Sequence, residues 1–214
     1  MVKGAVETIG PKITKTSVSL SRVFIYPITG RARIAKFVVG NPKGFESDFA
    51  LKFKHFRIKI KSSTIFKDVI HIHELAILGP EIIYEYNGGS NNIATIQRNV
   101  ENFTRSSSAN KSPQKQDKSP KKVIIDHILV KGAKVHWYPK GLMVKPISLT
   151  LPDIHLKDIG KSKNGVMGAD VFNKLLQTIS FQITKQITSH GTEVIGNAKN
   201  AGEKIGKSFK KLFK

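Results

Sequence analysis

His71 and His73 are the first residues in this chain whose type and spacing could do chemistry. They stand two apart in a β-branched run, Val69-Ile70-His71-Ile72-His73. On a strand, both imidazoles project from one face. Such a pair can hold a divalent metal, provided a third ligand comes from elsewhere. The sequence assigns none, and two exposed polar positions on a strand is the stronger reading. Acid–base chemistry needs two convergent carboxylates. Asp153 and Asp158 instead flank turns and read as turn formers. Ser107 has no base beside it. Gly88-Gly89 lacks the Lys-Ser/Thr that completes a phosphate loop. Tyr84, Tyr86 and Trp137 could stack on bases, but aromatics at strand ends read better as packing on a sheet edge. Cysteine is absent, so no thiolate nucleophile, thiolate metal site or disulfide exists. The expectation is a non-enzymatic chain with no catalytic residue, no metal, no cofactor and no small-molecule substrate.

The most informative functional segment is the basic end. Ile205, Phe209, Leu212 and Phe213 fall on one face of a helix, and Lys207, Lys210 and Lys211 crowd the rest. That is the pattern of a helix lying on anionic lipid. The whole chain agrees in sign, with 36 Lys+Arg against 15 Asp+Glu and a formal charge of +21. A surplus of this size draws polyanions: lipid headgroups, lipopolysaccharide or nucleic acid. Most of the cations are Lys, whereas base readout favours Arg forks. No nucleic-acid-binding signature is present, so nucleic acid is the weaker partner. No apolar run of about 18 residues is present, so no transmembrane helix is expected.

The elements behind these features are mostly strands. Val18 and Leu20 alternate with serines, and Phe56, Ile58 and Ile60 alternate with Arg57, Lys59 and Lys61. Leu51 and Phe53 take the opposite phase, which predicts a bulge near His55. Ile147, Leu149 and Leu151 alternate with Ser148 and Thr150. Asn91 or Asn92 caps a short helix over Ile93 to Phe103. Residues 104–122 are rich in Ser, Lys, Gln and Pro and read as a disordered linker. From Asp170, read as the N-cap, the period becomes helical: Val171, Leu175, Ile179, Ile183 and Ile187 form one stripe, interrupted at Gly191. Residues 1–10 read as the end of a helix that stops at Pro11.

Two segments repeat at an offset of 53. Ile72-His73-Glu74 through Tyr84 aligns with Ile125-Asp126-His127 through Trp137, each a strand, a Gly turn and a strand ending in an aromatic. The reading is one β-hairpin used twice. The expected fold class is α+β, mainly β: a curved antiparallel sheet with C-terminal amphipathic helices that cap or fill its concave face. The regions are 1–10, 11–103, 104–122, 123–160 and 170–214.

Val6-Glu7-Thr8-Ile9-Gly10-Pro11-Lys12-Ile13-Thr14, the turn Gly40-Asn41-Pro42-Lys43-Gly44-Phe45 and the run Ile77-Leu78-Gly79-Pro80-Glu81-Ile82-Ile83-Tyr84-Glu85 resemble the AsmA-like proteins of Gram-negative bacteria. The resemblance spans roughly residues 5–160, and Asn41, Pro42, Gly44 and Phe45 form its most recognisable turn. It implies an inner-membrane anchor helix upstream of Val6, a location on the periplasmic side of that membrane, and a part in envelope lipid homeostasis or lipid transfer. The sheet face bearing Phe56, Ile58, Ile60, Ile147, Leu149 and Leu151 would then face lipid. The expected partners are an anionic lipid or membrane surface and an envelope protein. A polyanion-binding protein and a structural subunit of an envelope assembly are the alternatives.

Overall fold

The computed structural model describes residues 2–109, 121–139 and 147–194. Its elements run α1 (Val2–Thr14), β1 (Val18–Ser19), β2 (Arg22–Tyr26), β3 (Arg31–Val39), β4 (Leu51–Ile60), β5 (Val69–Leu78), β6 (Glu81–Tyr86), α2 (Asn92–Ala109), β7 (Lys122–Lys131), β8 (Lys134–Pro139), β9 (Ile147–Thr150), β10 (Ile154–Ile159) and α3 (Gly168–Val194). The class is α+β and mainly β, with one curled half-barrel sheet and a C-terminal helix.

The ten strands build six ribbons. β4 pairs β5 at His55↔Leu78 and β6 at Lys52↔Glu81, one unbroken antiparallel register. β5 and β6 are therefore two halves of a single bent strand. The same holds for β7 with β8, for β9 with β10 and for β1 with β2. The 53-residue repeat is realised here. Ile72 pairs Ile125 and Tyr84 pairs Trp137, in parallel, at the offset seen in the sequence. Each repeat is thus a long bent strand and not a hairpin. Because parallel neighbours need a crossover, α2 lies between them in the chain. The sheet is accordingly mixed rather than antiparallel.

A crease crosses every ribbon at one level. Inner-face burial shifts phase from Leu20 to Val23, from Ile34 to Phe37, from Phe53 to Phe56, from Ile77 to Ile82, from Val130 to Ala133 and from Leu151 to Ile154. Lys36, Gly79 and Gly132 hold positive φ on this line. A left-handed residue bends a strand as a bulge does. All ribbons carry the irregularity together, so pairing passes through with no register shift. This is the phase change expected as a bulge near His55. The register shift itself lies further on, between Lys59 and Ile60, where His73 is the extra residue opposite. Asp158, also at positive φ, continues that second bend.

The curled sheet wraps the helices. Val171, Leu175, Leu176, Ile179, Ile183 and Ile187 of α3 join one core with Leu51, Phe53, Ile77, Ile82, Ile128, Val135, Leu149 and Leu151. Burying six such side chains contributes roughly 9–18 kcal/mol before the compactness of the unfolded chain is allowed for. The stripe read from the sequence is therefore the face by which α3 fills the concavity. Asp170 is the third residue of α3 and not its cap. Its Oδ2 accepts the Met167 N–H at 3.1 Å, the return half of a capping box. The helix continues through Gly191. Asn91 caps α2, its Oδ1 accepting the Ala94 N–H at 2.7 Å. α2 runs on through 104–109, six residues into the stretch read as linker; residues 110–120 lie outside the described residues. α1 likewise passes through Pro11 and ends at Thr14.

α1 lies directly on β1. A Cβ on Gly10 would sit 2.9 Å from Val18 Cβ, and Glu7 Oε1 accepts the Leu20 N–H at 3.1 Å. Gly10→Val is expected to destabilise by about 1–3 kcal/mol through overpacking, read as a lower urea midpoint with an unchanged slope.

Candidate functional site

One end of the sheet carries an unusual surface. The turn between β2 and β3 (residues 27–30) and the loop after β4 (residues 61–67) are bonded together there. Ile60 N–H donates to Gly30 O at 2.6 Å and Ser62 Oγ to Ile28 O at 3.4 Å. Gly30 has φ +63, and a Cβ would meet Ile60 O at 2.1 Å, so the turn demands glycine. Thr64 Oγ1 donates to Lys61 O and accepts the His71 N–H, tying the second loop to β5. These fixed loops present Ile28 at 96% and Phe66 at 87% exposure. Two such side chains at one end of the sheet make that end a candidate binding surface.

Cations stand behind them. On the outer face of β3 and β4, Arg31 lies directly across from Lys59, and Arg33 from Arg57. Like charges directly opposed destabilise a sheet. Phe24 and Tyr26 continue the same rows, across from Arg33 and Arg31, and both are about half exposed. Lys61, Lys67, Lys121 and Lys122 surround the loops, with Lys121 Nζ donating to Ile65 O at 3.0 Å. Lys59 pairs with Glu74 at 3.1 Å. Among the described residues, Arg31, Arg33, Arg57, Lys61, Lys67 and Lys122 have no ion pair.

An apolar cavity of about 340 Å³ opens where α1, β1, β3 and the start of α3 meet. Val6, Ile9, Ile13, Val18, Phe37 and Phe172 line it, and Thr14 is its one polar side chain. Size and lining suit part of an acyl chain.

On the outer face of β5 and β7, the second bend brings three potential ligands of two types together. His71 Nε2 lies 2.9 Å from Asp126 Oδ1, and His73 Nδ1 lies 3.0 Å from Asp126 Oδ2. Lys161 Nζ reaches Asp126 Oδ1 at 3.4 Å. The bond from His71, then those from His73 and Lys161, hold the Asp126 carboxyl well below the usual carboxylate range, against the opposing effect of burial. Asp126, from the neighbouring strand, is thus the third potential ligand that the sequence alone does not assign. The repeat was the signal for it, since its offset sets His73 against Asp126.

The other expected residues fall as follows. Leu149 and Leu151 are sealed in the core with α3, and Phe56 and Ile147 pack at its margin. Ile58 and Ile60 are half-buried on the same inner face, outside that core, near the apolar-tipped end. Asn41, Pro42, Gly44 and Phe45 form a turn at the opposite end. Asn41 Nδ2 donates to Ser47 O at 2.6 Å, and Asn92 Nδ2 donates to Asn41 Oδ1 at 2.8 Å. The buried Glu85 carboxylate accepts the Glu46 and Ser47 N–H groups. That turn is a structural clamp. The tail residues Ile205, Lys207, Phe209, Lys210, Lys211, Leu212 and Phe213 lie outside the described residues. Sequence reasoning missed Ile28 and Phe66, because a single exposed apolar residue carries no periodic signal.

No protein-family model matches the chain, and no curated protein does. No helix among the described residues is long and apolar enough to cross a membrane.

Proposed function

We propose that this protein is a non-enzymatic, peripheral lipid-binding protein that docks on an anionic membrane surface by the end bearing Ile28 and Phe66. The observation that carries the reading is the exposure of these two side chains on fixed loops backed by opposed cations. Inserting each apolar side chain contributes about 1.5–3 kcal/mol. Each Lys or Arg near an anionic surface adds about 1 kcal/mol. Set against the cost of association, these terms give reversible attachment.

The cavity beside α1 would take an acyl chain from the bound surface. α3 occupies the rest of the concavity, so the reading is capture at one end and not transit along a trough. The AsmA-like resemblance adds a location on the periplasmic side of a bacterial inner membrane and a part in envelope lipid homeostasis. Phe24 and Tyr26 beside Arg31 and Arg33 also suit a single-stranded nucleic acid, but that partner gives no use to Ile28 and Phe66.

Native mass spectrometry of the gently purified protein should show a lipid-mass adduct. Ala5 is exposed at the cavity wall, and Ala5→Trp should reduce the adduct severalfold without unfolding the chain. An adduct-free protein that also fails to bind a fluorescent fatty acid would remove the cavity from the proposal.

A further inference from the structure

We propose that His71, His73 and Asp126 form a binding site for a divalent transition metal of the Zn²⁺ class. The site is independent of membrane docking. All three ligand atoms lie within 4.8 Å of one another. The separations of 2.9 and 3.0 Å between imidazole nitrogens and carboxylate oxygens match adjacent donors around one ion. With bonds of about 2.0–2.1 Å, neighbouring ligands sit roughly 3.0–3.4 Å apart. The donors come from two strands held in parallel register, β5 and β7. The bend supplies the aim: His73 is the bulged residue between β4 and β5, and bulges re-aim side chains next to sites. Ile72 and Ile125, the inner-face neighbours, pack on or in the core and fix the backbone beneath.

Two imidazoles and one carboxylate favour Zn²⁺, Co²⁺ or Ni²⁺ over the all-oxygen preference of Mg²⁺ or Ca²⁺. Three protein donors leave coordination positions open to water. Lys161 is the resident competitor. Its ammonium bonds both Asp126 and Asp158, at 3.4 Å in the first case. It is exposed, so it can swing away and remain paired with Asp158 when a cation takes Asp126. A bound ion would staple the two repeats at the parallel junction that nothing else crosslinks covalently. A second imidazole pair, His127 Nδ1 with His155 Nε2 at 3.1 Å, has no carboxylate ligand grouped with it among the described residues.

The test is calorimetric titration of the full chain with Zn²⁺, alongside the visible absorption of Co²⁺. One Zn²⁺ per chain is expected, with Co²⁺ bands of a nitrogen–oxygen set, and Mg²⁺ should produce no heat of binding. His73→Ala alters a half-exposed side chain and should weaken binding at least tenfold with an unchanged circular dichroism spectrum. Lys161→Ala should tighten binding severalfold, a gain that loss of folding cannot mimic. Unchanged affinity in His73→Ala, dependence on His155 alone, or no saturable Zn²⁺ binding below millimolar concentration would each overturn the proposal.

Discussion

Replacing Ile28 and Phe66 together by Asp is expected to lower partitioning onto anionic vesicles by more than a hundredfold. The two side chains insert about 3–6 kcal/mol of apolar surface between them, and a factor of ten is about 1.4 kcal/mol. Both are solvent-exposed in the free protein, so the fold loses nothing and the thermal midpoint should hold. Sedimentation with vesicles of stated anionic content measures the effect. Arg33→Gln with Arg57→Gln should act differently. It removes opposed cations, so the loss should shrink as salt screens the surface, while the stability of the free protein should rise slightly as like charges part. If the double Asp variant sediments with vesicles like the parent, the docking end is elsewhere.

The largest stability effect is expected at Asn92. Its side chain is fully buried and satisfies four partners: Nδ2 donates to Ile83 O and Asn41 Oδ1, and Oδ1 accepts the Glu85 and Ile93 N–H groups. Asn92→Ala strips those partners at once. Each of the four buried groups left unmatched costs about 1–3 kcal/mol, so a loss of at least about 4 kcal/mol is expected in urea unfolding. Asn92→Asp should not rescue it, because a carboxylate cannot donate to Ile83 O. The consequence reaches the far turn, since Asn41 and the loop held by Glu85 lean on the same network.

How much of this was legible beforehand differs by element. The α3 stripe was readable because Val171, Leu175, Ile179, Ile183 and Ile187 repeat at helical spacing and all face one core. The pairing of β5 with β7 was half-readable. The offset of 53 was visible, but whether two similar segments form two hairpins or two parallel strands depends on what β4 pairs with, which is a long-range fact. Pro11 misled because its missing N–H marks a boundary only on average. The chain there is held in helix by Gly10 packing on Val18 and Glu7 capping the Leu20 N–H. The linker was placed too early because Ser106 and its neighbours are polar yet extend a helix already nucleated by Ile93, Ile96 and Val100. In the candidate sites, His71 and His73 were visible as a pair, while Asp126 became their partner only through strand register. Leu149 and Leu151 are buried in the core. α3 joins the same core, and alternation cannot name the occupant of a concavity.

The absence of cysteine makes the central claim open to one clean measurement. A polarity-sensitive fluorophore placed through Ile28→Cys reports the apolar end, and one placed through Lys43→Cys reports the exposed turn at the opposite end. With vesicles containing anionic lipid, the label at position 28 should brighten and shift to the blue while the label at position 43 stays unchanged, and neither should respond to zwitterionic vesicles. A response at position 43 without one at position 28, or silence at position 28 under conditions where the protein sediments with the vesicles, would contradict docking by this end.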